Sequence, residues 1–253
     1  MATNFGIAKE YNVFVFDHLS LSNTTVEGRV AVGGNTVVSP PSTVIRDAAE
    51  SLNGSLIVGA PIDFIEAERY LSCASVFWAT LEPNGVGEVV LGQLNLTATD
   101  PVFNAFTFES TDIYGTGIAL NQLNGINIIA PVESTVLINI TGPAIQFGGC
   151  QISRNGTTAT RQDARHMVWN FPESLTWANG TTAIYGSVLA PFADANTTFH
   201  PISGNMIFSS LTGNAEIHNE LFEGELPDVG EHLLPSSSAS TNTFSITTPT
   251  YLP

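Results

Sequence analysis

Val26-Glu-Gly-Arg-Val-Ala-Val-Gly-Gly-Asn35 admits three readings. It is a Gly-rich phosphate loop, a β-strand interrupted by glycine, or one copy of a repeat. The phosphate reading fails on spacing. Gly28, Gly33 and Gly34 give neither G-x-G-x-x-G nor G-x-x-x-x-G-K-[ST], and no helix-period pattern follows. The repeat reading gains support elsewhere. Aligned on its glycine, Val26-Glu-Gly28-Arg-Val30-Ala-Val32 has apolar residues at −2, +2 and +4. Leu52 to Val58 about Gly54, Ile184 to Ala190 about Gly186, Ile202 to Phe208 about Gly204 and Leu211 to Ile217 about Gly213 share that pattern. Apolar positions two apart lie on one face of a strand. A glycine there marks a corner or a close approach of neighbouring backbone.

Gly186 and Gly204 are 18 residues apart, about one turn of a β-helix, and Gly204 and Gly213 are 9 apart. Gly28 and Gly54 are 26 apart, so the period is irregular. The expected fold is all-β, an irregular right-handed β-solenoid, with a β-sandwich as the alternative. Other short β-type runs agree: Asn12–Phe16, Ser55–Val58, Glu88–Leu91, Phe106–Phe108, Ile126–Ile129 and Thr135–Ile140, each bounded by Gly, Asn, Pro or Ser. One segment breaks the pattern. Phe64, Ala67, Leu71, Ala74, Trp78 and Leu81 follow steps of three and four, predicting a single helix over about 63–81 packed alongside. Asp63 and Glu66 resemble a capping box, and Pro83 and Gly85 end the run. Phe64, Leu71 and Trp78 should form its seam.

The chain of 253 residues reads as one domain over 1–235 and a tail or stalk over 236–253, where ten of 18 residues are Ser or Thr. Only 12% of residues are charged, against roughly 25% usually. Twenty-three acids against seven bases give a net charge of −16, and Lys9 is the sole lysine. Such a chain lacks the basic footprint of a nucleic-acid binder. No run of about 18 apolar residues predicts membrane insertion. No export signal is visible at the start of this chain. Seven Asn-X-Ser/Thr sequons, at Asn23, Asn53, Asn95, Asn139, Asn155, Asn179 and Asn196, suit an extracellular and glycosylated chain. In that compartment Cys73 and Cys150 form either one disulfide or two separate buried thiols.

Catalytic signatures are missing. There is no G-x-S-x-G elbow, and His18, His166, His200, His218 and His232 form no zinc motif. Glu216, Glu220, Glu223 and Glu225 read as a solvated acidic cap, with surface calcium as the alternative. No other cofactor is implied. Thr97 with Thr99, and Thr158 with Thr160, are two isolated Thr-x-Thr copies rather than a ladder.

Several motifs in order carry a family resemblance. Tyr11–Phe16 followed by Thr25–Asn35, then Thr99–Phe108, Ser134–Ile140, Val168–Glu173, Tyr185–Pro191, Glu216–Glu220 and Phe222–Pro227 together resemble the choice-of-anchor A family. Asp17-His18 departs from the Gly-Asp usual there. The resemblance implies a secreted, collagen-binding-like adhesive domain, with a β-helix and flanking helix similar to one class of ice-binding proteins. The expected function is non-enzymatic adhesion at a cell surface to a matrix protein or glycan. The alternatives are ice binding, self-association into a fibre or coat, and a polysaccharide-active enzyme.

Overall fold

The structure, a computed structural model, describes residues 4–44, 56–59 and 62–230. Its frame is a twelve-stranded sheet flanked by two five-stranded sheets. Nearly all strand pairs are parallel. The two antiparallel pairs are Val86–Val90 with Gln93–Thr97 and Gln151–Arg154 with Thr157–Thr158. This ladder is β-helix-like and excludes the sandwich alternative, whose sheets would be antiparallel.

From Thr135 onward the chain cycles through three walls. Thr135–Thr141, Met167–Asn170 and the first halves of Ser187–Thr197 and Met206–Gly213 lie side by side on the first wall. Ala144–Gln146, Thr176–Ala178 and the second halves of the same two long strands form the second wall. The sheet folds between them, where register shifts between Ala190 and Asp194. The third wall is divided between the two smaller sheets.

Strand order does not follow chain order. Val13–Val15 sits between Met206–Gly213 and Val30–Val32, so the N-terminal strands continue the stack where the C-terminal ones end. Leu56–Val58 follows Val30–Val32 at the edge.

The first wall is apolar on both sides, which explains its unbroken apolar runs. Val13, Val15, Val136, Ile138, Met206 and Phe208 point into the inner core. The intervening Phe14, Leu137 and Ile207 point outward, into a second core beneath the helix.

The helix spans Phe64–Ala79. Asp63 caps it by accepting from the Glu66 N–H at 3.0 Å. The reciprocal half of the expected capping box is missing, because the Glu66 carboxylate pairs with Arg69 at 2.7 Å instead. Ala67, Leu71, Ala74 and Trp78 are buried against the sheet, while Phe64 and Leu81 are half-buried at the ends of the seam. Polar anchors fix the seam. Asn170 Nδ2 donates to the Ser75 carbonyl at 2.8 Å, Asn139 Nδ2 donates to the Trp78 carbonyl at 3.0 Å, and Trp78 Nε1 donates to the Pro227 carbonyl at 2.9 Å. No helix among the described residues is long and apolar enough to cross a membrane. The tail assigned to 236–253 lies outside the described residues.

Candidate functional site

The second wall is uncovered. Its strands run in the order Ala144–Gln146, Thr176–Ala178, the end of Ser187–Thr197, the end of Met206–Gly213, Leu19–Ser22 and Thr36–Ser39. Ile145, Trp177, Ala195, Leu211 and Leu19 turn inward to the core. Their neighbours turn outward in two rows across the strands. One row carries Ala144, Thr176, Asp194 and Ser210; the other carries Gln146, Ala178, Asn196, Thr212, Ser20 and Val37. Adjacent strands stand about 4.8 Å apart, so each row is a polar rail of that spacing. The side chains of Gln146, Thr176, Asp194, Asn196 and Thr212 make no hydrogen bond within the described residues, which leaves them available to an external surface. Ser210 is the exception, since its hydroxyl lies 3.2 Å from His18 Nδ1.

The sequence reading missed this face. Ser187-Val-Leu189 was legible as a strand, but its continuation through Asn196 was not. The signal was there as alternating burial. Ala193, Ala195 and Thr197 are buried, while Asp194, Asn196 and Thr198 are exposed. Small inward residues carry little hydropathy, so the period of two is faint.

The predicted rung glycines fall in two places. Gly186 and Gly204 occupy one corner between the third and first walls, and register places Gly28 opposite Asn219 on that corner. Gly204 has φ +141°, and an added Cβ would stand 2.6 Å from the Gly186 carbonyl oxygen. At Gly28 a Cβ would meet the Asn12 side chain at 2.8 Å. Asn12 plugs the corner: its Nδ2 donates to the Gly204 and His218 carbonyls at 2.6 and 2.9 Å, and its Oδ1 accepts from the Gly28 N–H at 3.1 Å. Gly213 corrects the expected pattern. It ends a strand of the open face beside Thr197 and Leu21, at a different corner. Gly54 lies outside the described residues.

The acidic cluster also differs from expectation. Glu220 is bound by Arg161 at 2.8 Å and Arg165 at 2.7 Å, and Glu223 by Arg165 at 2.9 Å. Arg161 also pairs with the buried Glu27. Glu225 is exposed and apart from this lattice. Glu220 and Glu223, with Glu27, are tied into a clamp holding the Asp163–His166 turn to the glycine corner. Glu216 lies 3.7 Å from His218 and Glu225 stays outside the clamp, so the four form neither one solvated cap nor a four-carboxylate calcium site. Burial alone would raise the Glu27 carboxyl, but the hydrogen bonds from Arg161 and the Asn219 N–H, together with the Arg161 charge, outweigh it and hold the group below its usual range. Glu27, Glu216 and His218 bring ligand atoms within 4.8 Å of one another, but the Glu27 carboxylate is already engaged by Arg161.

Cys73 and Cys150 are separate thiols. Cys73 rides on the helix outside the first wall, whereas Cys150 lies in the inner core, so the sheet stands between them. Burial pushes the Cys150 thiol upward despite its contact with Thr182. Among the sequons, Asn23, Asn155 and Asn196 are exposed and Asn95 is half-exposed. Asn139 and Asn179 are fully buried and hydrogen-bonded, so glycan attachment there is sterically closed to the folded chain. Asn53 and His232 lie outside the described residues. Thr97 sits on the third wall, and the Thr160 hydroxyl donates to the Asp163 carboxylate at 2.6 Å.

A family model described as "Putative Ice-binding-like adhesive domain" matches residues 4–60 and 41–219. No curated relative matches the sequence. Among solved structures, the chain is similar to a glycosylated ice-binding protein from an Arctic yeast, with TM-score 0.50 and 12% identity over 87% of this chain and 94% of that one. It is also similar to an ice-binding protein from the Antarctic ascomycete Antarctomyces psychrotrophicus, with TM-score 0.46 and 16% identity over 87% and 100%. A Shewanella frigidimarina ice-binding protein domain gives 0.42 and 14% over 89% and 99%. Identities this low speak to fold alone.

Proposed function

The chain belongs to the ice-binding-like adhesive domain family, and we propose that it is a non-enzymatic, extracellular adhesive domain that grips a surface through its open face. The observation that carries this reading is the uncovered wall of six parallel strands, on which the outward side chains of Gln146, Thr176, Asp194, Asn196 and Thr212 have no hydrogen-bond partner among the described residues. Many weak hydrogen bonds across a rigid sheet suit attachment to an extended polymer or solid. The finer assignment to choice-of-anchor A proteins rests on the order of sequence motifs.

Ice is the second reading, favoured by the family description. The rows weigh against it. A crystal lattice rewards one small side chain repeated at one spacing, and here one row mixes Ala, Thr, Asp and Ser and the other Gln, Ala, Asn, Thr, Ser and Val. Asp194 also carries a charge, which binds its own water tightly rather than matching a lattice.

The test compares labelled wild-type protein with an Asn196→Tyr/Thr212→Tyr double variant. Retention is measured on collagen, cellulose, chitin and ice, and thermal hysteresis alongside. The expected result is retention on a polymer, reduced at least tenfold by the double variant, without thermal hysteresis. Strong hysteresis abolished by the same variant would transfer the face to ice. Equal retention of both proteins would remove the face from adhesion altogether.

A further inference from the structure

The open face has a hollow at one edge. A cavity of about 390 Å³ is bounded by the wall strands and by the 110–122 segment, which rises beside Ala144–Gln146. That volume falls within the roughly 300–1,000 Å³ of small-molecule sites. Its floor is a grid of three strands by two rows. Ala144, Thr176 and Asp194 form one row, and Gln146, Ala178 and Asn196 the other. The two alanines stand diagonally, and their short side chains make the depression. Asn121 and Thr111 stand in the rim.

The chemistry of this lining is selective. Thr111, Asn121, Gln146, Thr176 and Asn196 offer neutral donors and acceptors, and Asp194 adds one strong acceptor. None of these side chains is used within the described residues. The Ser110 hydroxyl, on a residue only 5% exposed at the cavity wall, also has no hydrogen-bond partner. No lysine or arginine lines the cavity, so phosphate, sulfate and carboxylate ligands have nothing to pair with and would meet Asp194. The accessible lining is in large part apolar, but a fatty chain seated on it would strip water from Asn121, Asp194, Asn196 and the Ser110 hydroxyl without supplying a hydrogen bond. What remains is a neutral molecule dense in hydroxyls, each of which both donates and accepts.

The geometry points to a saccharide subsite: this hollow binds a sugar unit of a neutral polysaccharide while the rails beyond it carry the rest of the chain. The inference rests on the adhesive reading of the open face and names its ligand class. Amides and a carboxylate bridging vicinal hydroxyls supply orientation, and the alanine floor receives the C–H face of the ring. The open face continues from the hollow through Thr212 and Ser20, so a polymer is favoured over a free monosaccharide.

The test titrates the intact chain with cellohexaose, laminarihexaose, xylohexaose and chitohexaose, and with a heparin hexasaccharide as the anionic probe. Calorimetry and amide chemical shifts are the readouts. At least one neutral hexasaccharide should bind and shift the amides of 176–178 and 194–196, with no response to heparin. Ala178→Phe fills the hollow, and Asp194→Ala removes the strong acceptor. Each should weaken binding at least tenfold while leaving Tm within a few degrees. Tight heparin binding, no neutral binding up to millimolar ligand, or binding indifferent to both variants would overturn the subsite. If Ala178→Phe still adheres to a polymer surface as wild type does, the subsite fails while adhesion by the face stands.

Discussion

At the scale of single residues, Glu27 and the corner glycines hold the fold most sharply. Glu27 is nearly fully buried, and its carboxyl is held down mainly by Arg161 and the Asn219 N–H against the opposing effect of burial. A carboxyl depressed in the folded state contributes stability that is full above its unfolded value near 4.5 and is lost as pH falls through the lower folded value. Wild-type Tm should therefore drop on acidification below about pH 4.5. Glu27→Gln should flatten that drop and cost about 2 kcal/mol at neutral pH, less than for a fully buried pair because Arg161 is 44% exposed. Thermal melts from pH 3 to 7 on both proteins check it; parallel curves would remove Glu27 from the acid response. Gly204→Ala faces both positive φ and a backbone carbonyl at 2.6 Å. It should cost about 2–4 kcal/mol. Gly59→Ala is also at positive φ but has nothing within 4 Å among the described residues, and should cost only about 1 kcal/mol. Urea denaturation of the pair separates the crowded corner from the conformational penalty alone.

At the scale of elements, the helix is a lid that the sequence announced clearly. Six apolar positions at helical steps and an aspartate cap specify Phe64–Ala79 almost to the residue. The underlying wall was legible too, because a sheet buried on both sides writes continuous apolar runs such as Thr135–Thr141. The open face was nearly illegible. Over 193–198 it sets Ala and Thr inward against Asp and Asn outward, a contrast too weak to register as a period, and Ala144–Gln146 and Thr176–Ala178 are three residues each, too short to show one. The Gly213 copy misled for a related reason, since the pattern marks any strand beside a turn, not one particular corner. The clamp of Arg161 and Arg165 on Glu27, Glu220 and Glu223 joins residues up to 134 apart, and nothing local signals such pairing. The helix seam yields a direct expectation. Trp78 is wholly buried, meets Phe5 edge-on at 6.2 Å, and donates to Pro227. Trp78→Ala should cost about 3–5 kcal/mol, since it empties the seam and orphans the anchor. Val76, 49% exposed on the opposite side, should tolerate alanine within about 0.5 kcal/mol. Tm shifts of comparable size for the two variants would mean the helix is not docked by this face.

At the scale of the whole molecule, the decisive feature is where the chain begins in the stack. In a solenoid whose strand order follows the chain, the first strand is an end strand and frays first. Here Val13–Val15 is interior, flanked by Met206–Phe208 on one side and Val30–Val32 on the other. All three of its residues are fully buried, and Asn12 ties the same place to Gly204, Gly28 and His218. The early strand cannot leave without breaking two ladders and opening both cores. Local opening there should thus require the global unfolding free energy, whereas the edge strand Leu56–Val58 can open alone. Native-state hydrogen exchange would show it. Amides of Val13–Val15 should exchange as slowly as those of Thr135–Thr141, and those of Leu56–Val58 should exchange much faster. Fast exchange at Val13–Val15 alone would mean that the N-terminal strands form a separate unit, and the rigid face presented to an external surface would then be shorter by Leu19–Ser22 and Thr36–Ser39.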